Sequence, residues 1–303
     1  MLLRGVRVLD VSRLLPGGYC TQLLQQQGAH VIKVESPAGD PIRGLPGGEA
    51  FFDALHRDKE LVRLDLRTDD GRRSFGQRVA EADVLVEGFR PGVMERMQLG
   101  YDALAAINPG LVYCAITGYG STSKLASRAG HDLNYLARSG ALSLMPRADG
   151  RPMIPGLQVA DLAGGVQAAF LIVAALADRA RTGRGARVEV SMIDLMRSWT
   201  ALPRAARHAG LEGLPLTGEL PCYHVYAVSD GFLTVAALEA DFWAEFCRAI
   251  GREDLTRRQF DASAVDDVQR ALQPLSQDEW ARRLEGRDVC VEPVLSLEES
   301  EAD

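Results

Sequence analysis

The stretch Gly130-His131-Asp132-Leu133-Asn134-Tyr135 sets an imidazole, a carboxylate, an amide and a phenol almost side by side. It follows a glycine-punctuated loop, Gly118-Tyr119-Gly120, and leads into an apolar run. Polar groups of four kinds at the edge of a buried segment are costly unless paired or used. The stretch therefore reads as one wall of an active site. An imidazole can both take and give a proton near pH 7, which makes His131 the first candidate acid–base group, with Asp132 beside it.

Asp161 lies between apolar residues and is followed by Ala163, Gly164 and Gly165. A carboxylate at a helix start is stabilised by free N–H groups. The glycines are expected to leave open space over it, where it could act as base or nucleophile. Glu239 closes Ala236-Ala237-Leu238-Glu239, an apolar lead-in expected to bury it in part, and there it could orient a histidine. Arg90 and Arg96 follow an apolar strand, and Arg13 and Lys33 lie at or near the ends of the first two strands. Guanidinium groups suit phosphate, so these could grip a phosphorylated carrier. Each residue also has a plain structural alternative: a loop cap for His131, a helix-start charge for Asp161, and exposed charges for the others. Leu142, Leu144 and Met145 suggest either core or a surface for a hydrophobic tail. No nucleophile elbow, P-loop, HExxH or EF-hand spacing is found.

The bulk numbers bound the answer. The chain has 303 residues, 47% apolar and 25% charged, with a net charge of −7. That is enough for a substantial core, and the sign argues against a nucleic-acid partner. Cys20, Cys114, Cys222, Cys247 and Cys290 form no CxxC pair. This is neither a zinc pattern nor a disulfide framework, and it fits a reducing cytoplasm. Met1-Leu2-Leu3-Arg4 runs straight into a strand pattern, so no leader is expected. The longest apolar run, Leu162 to Ala177, contains Gln167 and falls short of a bilayer span, so it is expected to be a buried helix and no membrane partner is expected.

The elements that must position these groups alternate. Val6 to Val11 reads as a strand, Pro16-Gly17-Gly18 as a turn, Tyr19 to Gln27 as a helix and Val31 to Glu35 as a second strand. That is a βαβ unit. Pro16-Gly17-Gly18 is not GxGxxG, so no dinucleotide fingerprint is present. Ser36 to Gly48 reads as a loop. A strand over Leu61 to Leu66, a helix capped by Thr68, a strand over Asp83 to Glu87, a helix from Tyr101 and a strand over Leu111 to Thr117 continue the alternation. The exit Gly88-Phe89-Arg90-Pro91-Gly92 sits at a strand's carboxyl end, where open α/β sheets bind ligands. A long helix follows to near Arg181, then a strand to Val190 and a helix opened by Ser191. Leu211 to Leu220 reads as a linker, giving a doubly wound parallel large domain over 1–210 and a small α+β domain over 211–303. In the latter, Cys222 to Val228 and Phe232 to Ala237 pair as a hairpin across Ser229-Asp230-Gly231. The acidic end, Glu298 to Asp303, is expected to fray.

These stretches resemble the class III CoA-transferase family (CaiB/BaiF type), and within it the α-methylacyl-CoA racemase branch. The matching segments include Gly28-Ala29-His30-Val31-Ile32-Lys33-Val34-Glu35, Val86-Glu87-Gly88-Phe89-Arg90-Pro91-Gly92-Val93, Gly130-His131-Asp132-Leu133-Asn134-Tyr135, Ala160-Asp161 and Ala237-Leu238-Glu239. The resemblance spans about residues 4–297 and implies a Rossmann-like large domain, an interlocked homodimer, an acyl-CoA thioester substrate, no permanently bound cofactor and no metal. It implies catalytic roles for His131, Asp161, Glu239 and Asp132. It also implies CoA contacts from Arg13, Lys59, Phe89, Arg90, Arg96 and Met97. In the family's transferases the residue matching Asp161 carries the acyl group as a mixed anhydride. In its racemases that aspartate and the histidine matching His131 flank the α-carbon, and the acid matching Glu239 partners the histidine. The sequence departs from the family at His56-Arg57-Asp58-Lys59-Glu60-Leu61, Ser36 and Ser121-Thr122-Ser123-Lys124, and it ends soon after Val294 where relatives run on. Racemisation needs two acid–base groups, so the expected activity is α-carbon epimerisation of 2-methyl-branched or other 2-substituted acyl thioesters. CoA transfer through Asp161 is the alternative, and a non-catalytic thioester-binding paralogue the second.

Overall fold

A computed structural model describes residues 1–210 and 216–302. The chain divides into two compact units, Met1–Ala201 and Leu202–Asp303. The first holds β1 (Arg7–Asp10), α1 (Leu14–Gln26), β2 (His30–Glu35), α2 (Gly48–His56), β3 (Glu60–Arg63), α3 (Asp69–Val79), β4 (Val84–Glu87), α4 (Val93–Arg96), α5 (Tyr101–Ile107) and β5 (Val112–Thr117). It continues with α6 (Asp132–Ser139), the short antiparallel pair β6 (Arg147–Ala148) and β7 (Arg151–Pro152), α7 (Val159–Thr182), β8 (Arg187–Ser191) and α8 (Met192–Trp199). Six strands make one parallel sheet in the order β3-β2-β1-β4-β5-β8. Strand order reverses between β1 and β4, so their carboxyl ends flank a crevice.

The sheet forms because its central strands bury apolar residues on both faces. Val8, Val84, Val86, Val112 and Cys114 enter one core with Leu24 of α1 and Ala168 and Ile172 of α7. Their neighbours Leu9, Leu85 and Tyr113 enter the opposite core with Phe75 of α3 and Leu104 of α5. Helix α7 is long and apolar enough to cross a membrane by length and composition. One face of it, including Ala160, Ala163, Ala168 and Ile172, is packed into the first core, while Val166, Phe170 and Val173 are exposed. The buried-helix expectation therefore holds for one face only.

Two local expectations are corrected. Helix α1 begins at Leu14 rather than Tyr19, so Pro16, Gly17 and Gly18 belong to its opening turns. Proline costs little there because first-turn N–H groups have no intrahelical partner. The segment expected as loop contains a 3₁₀ turn at Pro41–Gly44 and leads into α2, which buries Phe52 and Leu55 on one face.

After α9 (Ala201–His208), the second unit holds β9 (Tyr223–Ala227), β10 (Phe232–Ala236), α10 (Ala240–Ala249), α11 (Val265–Leu272), α12 (Gln277–Leu284), β11 (Val291–Pro293) and α13 (Leu297–Ala302). The hairpin β9–β10 forms as expected, and β11 adds to β10, giving the antiparallel order β11-β10-β9. Tyr226, Trp243, Phe246 and Trp280 fill its core. Both buried indoles are satisfied, Trp243 Nε1 donating to the Leu255 carbonyl at 3.1 Å and Trp280 Nε1 to that of Leu272 at 2.8 Å. The linker expected over Leu211 to Leu220 lies partly outside the described residues, and the division between units falls earlier, after Ala201. The acidic end is helical: the Ser296 amide donates to Glu299 Oε2 at 2.7 Å and the Glu299 amide donates to Ser296 Oγ at 3.2 Å.

Candidate active site

A cavity of about 230 Å³ opens at the carboxyl ends of β1, β4 and β5, lined by residues of the first unit alone. The β1 exit contributes Arg13 and Leu14, the β4 exit Gly88, Phe89, Arg90 and Pro91, and the β5 exit Gly118 and Tyr119. His131 and Tyr135 come from the start of α6, Asp161 from the first turn of α7 and Met192 from α8.

The stretch around His131 is built by local bonds. Asn134 Oδ1 accepts from the His131 amide at 3.0 Å, and the Tyr135 hydroxyl donates to the Gly130 carbonyl at 2.5 Å. The Tyr135 and Tyr119 rings meet edge to face at 5.2 Å between centroids. A Cβ at Gly130 would stand 2.7 Å from the Tyr119 hydroxyl, so only glycine fits between them. These bonds leave the exposed His131 at the α6 N-terminus, on the cavity wall.

Asp132 takes a part that its spacing did not reveal. Its Oδ1 accepts from the amides of Ala160 at 2.6 Å and Asp161 at 3.1 Å. It caps α7 and fixes the backbone that carries Asp161. Burial, and then the neighbouring Asp132 carboxylate, push the half-buried Asp161 carboxyl up to about 7. A carboxyl poised there is part acid and part base at neutral pH, as general acid–base catalysis asks. The space expected over Asp161 is not left open by the glycines. Cβ atoms at Gly164 and Gly165 would stand 2.9 Å from Met192 and 2.7 Å from the Pro16 carbonyl, so α8 and α1 fill that side. The opening instead faces His131, Tyr135 and the strand exits.

Three arginines line the same cavity: Arg13, Arg90 and Arg128. The Arg13 guanidinium lies 4.6 Å from the centre of the Phe89 ring, a cation–π contact. None of the three is in an ion pair among the described residues. The Phe89 amide is held by Glu87 Oε2 at 2.7 Å, and burial pushes that carboxyl up to about 7.

Other candidates lie elsewhere. Lys59 is buried, donating to the Gly18 carbonyl at 2.9 Å and Thr21 Oγ1 at 2.7 Å, 3.5 Å from Asp10. Lys33 is likewise interior, donating to the Ser12 carbonyl at 2.7 Å. Both ammonium groups serve the fold and present no charge to a ligand, which corrects the expected grip. Arg96 and Met97 lie in and just after α4, away from the cavity lining, with Met97 packed against the second core. Glu239 belongs to the second unit, where it is the exposed N-cap residue of α10 rather than partly buried. Leu142 packs on the first core and Leu144 is exposed; neither they nor Met145 line the cavity. Arg128 and Met192 were not singled out from sequence. Arg128 stands two residues before Gly130, the available signal. Among the described residues no cluster of three or more His, Cys, Asp or Glu is placed to hold a metal.

Comparison with known proteins shows the family. The family model described as CoA-transferase family III matches residues 3–303. Alpha-methylacyl-CoA racemase of Mus musculus is 35% identical over 99% of this chain and 79% of its own length. The succinyl-CoA:mesaconate CoA-transferase of Haloarcula hispanica is 35% identical over 86% of this chain and 70% of its own. The crystal structure of a CAIB/BAIF family protein from Brucella suis superimposes with a TM-score of 0.86 at 30% identity, covering 99% of this chain and 86% of that one. The chain, whose family includes acyl-CoA racemases and CoA-transferases, belongs to CoA-transferase family III.

Proposed function

We propose that the protein is an acyl-CoA α-carbon epimerase acting on 2-methyl-branched thioesters by two-base proton transfer. The observation that carries this reading is the Asp161 carboxyl, pushed up to about 7 in the cavity that His131 also lines. One of the two groups, as its free base, removes the α-proton and leaves an enolate. The other, protonated, returns a proton to the opposite face, and both recover their protonation from solvent. Arg13, Arg90 and Arg128 supply cationic groups for the phosphates of CoA. The apolar exposed face of α7, with Val166, Phe170 and Val173, supports assembly as a homodimer.

A second reading is CoA transfer. A transferase relative shares the racemase's 35% identity, over 86% rather than 99% of this chain. In that reaction the ionised Asp161 attacks the thioester carbonyl, the CoA thiolate leaves, and the acyl group stays on the carboxylate as a mixed anhydride. The test is incubation of a chiral 2-methylacyl-CoA in deuterated water. Epimerisation with α-deuterium incorporation is the expected result. Hydroxylamine trapping of an acyl-Asp161 without deuterium uptake would replace it with the transferase reading, and neither outcome with any thioester would leave a non-catalytic paralogue.

A further inference from the structure

Outside the cavity lining lies a buried group of charges, Asp10, Lys33, Asp40 and Lys59. Bonds from Asp10, Lys33 and Asp40 reach the two residues that flank Arg13 at the β1 exit, Ser12 and Leu14. Asp10 Oδ1 accepts from the Ser12 amide at 3.0 Å and from its hydroxyl at 2.5 Å, while Lys33 donates to the Ser12 carbonyl at 2.7 Å. Asp40 Oδ1 accepts from the Leu14 amide at 3.2 Å and the Ile42 amide at 3.0 Å. Lys33 Nζ stands 3.1 Å from Asp40 Oδ2, so the carboxylate is itself held. Arg13 lies between the two tethered residues and stacks on Phe89 in the cavity.

Leu14 has φ +61°, a left-handed backbone that a branched side chain rarely adopts. Such a conformation persists only where the surroundings over-determine it, and such residues cluster at ligand sites. We infer that Asp40 is a positioning residue for the cavity: held by Lys33, it pins the Leu14 amide in the left-handed conformation and thereby keeps Arg13 over Phe89. Relaxation of Leu14 would rotate the peptide joining it to Arg13 and redirect the guanidinium. The kinetic consequence rests on the reading that the cavity binds an acyl-CoA thioester; the geometric consequence does not.

The test uses the full chain with Asp40→Ala, Asp40→Asn and the double variant Asp40→Ala/Leu14→Gly. In Asp40→Ala, KM for the thioester rises about 10-fold while kcat stays within about 3-fold, because uniform binding is lost. Asp40→Asn keeps the acceptor oxygen for the Leu14 amide but sets an NH2 against Lys33, and KM falls between that of Asp40→Ala and the unaltered value. In the double variant glycine takes φ +61° unaided, and KM returns toward the unaltered value. Crystal structures of the same proteins read the geometry directly. In Asp40→Ala, Leu14 leaves positive φ and Arg13 leaves Phe89, and the double variant restores both. Leu14 and Arg13 unmoved in Asp40→Ala would overturn the inference whatever the reaction. If the unaltered protein turns over no acyl-CoA, the proposed function fails and the crystal structures still decide this inference. Should Asp40→Ala not fold, Asp40→Ser is read in its place, since its hydroxyl stops short of the Leu14 amide.

Discussion

Asp10 and Asp161 are carboxylates of one unit, both withdrawn from water, yet they are driven in opposite directions. Burial by itself would raise Asp10. Lys33 at 3.6 Å, Lys59 at 3.5 Å and the Ser12 hydroxyl outweigh it and hold the group well below the usual carboxylate range. At Asp161 burial is joined by the like charge of Asp132, and the carboxyl rises to about 7. Withdrawal from water sets the scale of a shift, and the neighbours decide its sign. Burial acts on its neighbours too, and there it outweighs the Asp10 charge. Burial pushes Lys59 down to about 8 and His56 down to about 3. One carboxylate is committed to structure, and the other is poised to exchange a proton.

The largest effect expected from breaking this contrast is kinetic. Asp161→Asn lowers α-proton exchange of the enantiomer whose proton Asp161 removes by about 10²–10⁴-fold, the usual worth of a positioned acid–base group, with no fall in melting temperature. Undiminished exchange of both enantiomers after the change would remove Asp161 from the chemistry. Asp10→Asn does the reverse. It strands Lys59, whose ion pair is with Asp10, while Lys33 keeps Asp40 at 3.1 Å, and removing one partner of a buried ion pair costs about 3–5 kcal/mol, read by urea unfolding. A neutral outcome would show that the buried cations do not depend on Asp10.

The contrast also fixes the sign of pH dependence. The folded pKa of Asp161 lies above its unfolded value, so its contribution to stability is full below about pH 4 and is lost as pH rises through about 7. Unfolding at pH 5 and 8 should therefore show Asp161→Asn gaining on the unaltered protein by about 1–2 kcal/mol at the higher pH, after discount for partial exposure. Asp10 is depressed, so its contribution is present above the ordinary carboxylate range and is lost only as pH falls below it. With Asp161 as the base, kcat/KM climbs with pH and levels above about 7. The smallest effect sharpens the cause. Asp132→Asn keeps an oxygen to cap Ala160 and Asp161 but removes the like charge. The acidic limb of that profile then moves down by less than about one pH unit, whereas an unmoved limb would assign the shift to burial alone.

The sheet was legible because its strands carry runs of Val, Leu and Ile between helix signals, longest in β5, and β9–β10 because a two-sided β pattern brackets Ser229-Asp230-Gly231. Helix α2 was not, since Gly47-Gly48 and the prolines before it read as loop, and the pull that makes it helical comes from Leu14, Leu15 and Tyr19 packing on Phe52 and Leu55. In the site, residue types pointed to His131 and Asp161, but long-range partners decide what the other charges do. Lys33 and Lys59 look like surface cations in sequence. They are interior because Asp10, separated from them along the chain, is buried between them. Asp132 read as a second acid because nothing in its neighbourhood in sequence announces the α7 amides it caps.

The central claim is that Asp161 and His131 serve opposite faces of one α-carbon. It is tested most directly by following solvent exchange of each enantiomer of a 2-methylacyl-CoA separately in the unaltered protein, His131→Ala and Asp161→Asn. The account predicts that the unaltered protein exchanges both. His131→Ala then retains exchange of one enantiomer and Asp161→Asn retains exchange of the other, with epimerisation lost in each. Exchange of both enantiomers that neither substitution disturbs would contradict it.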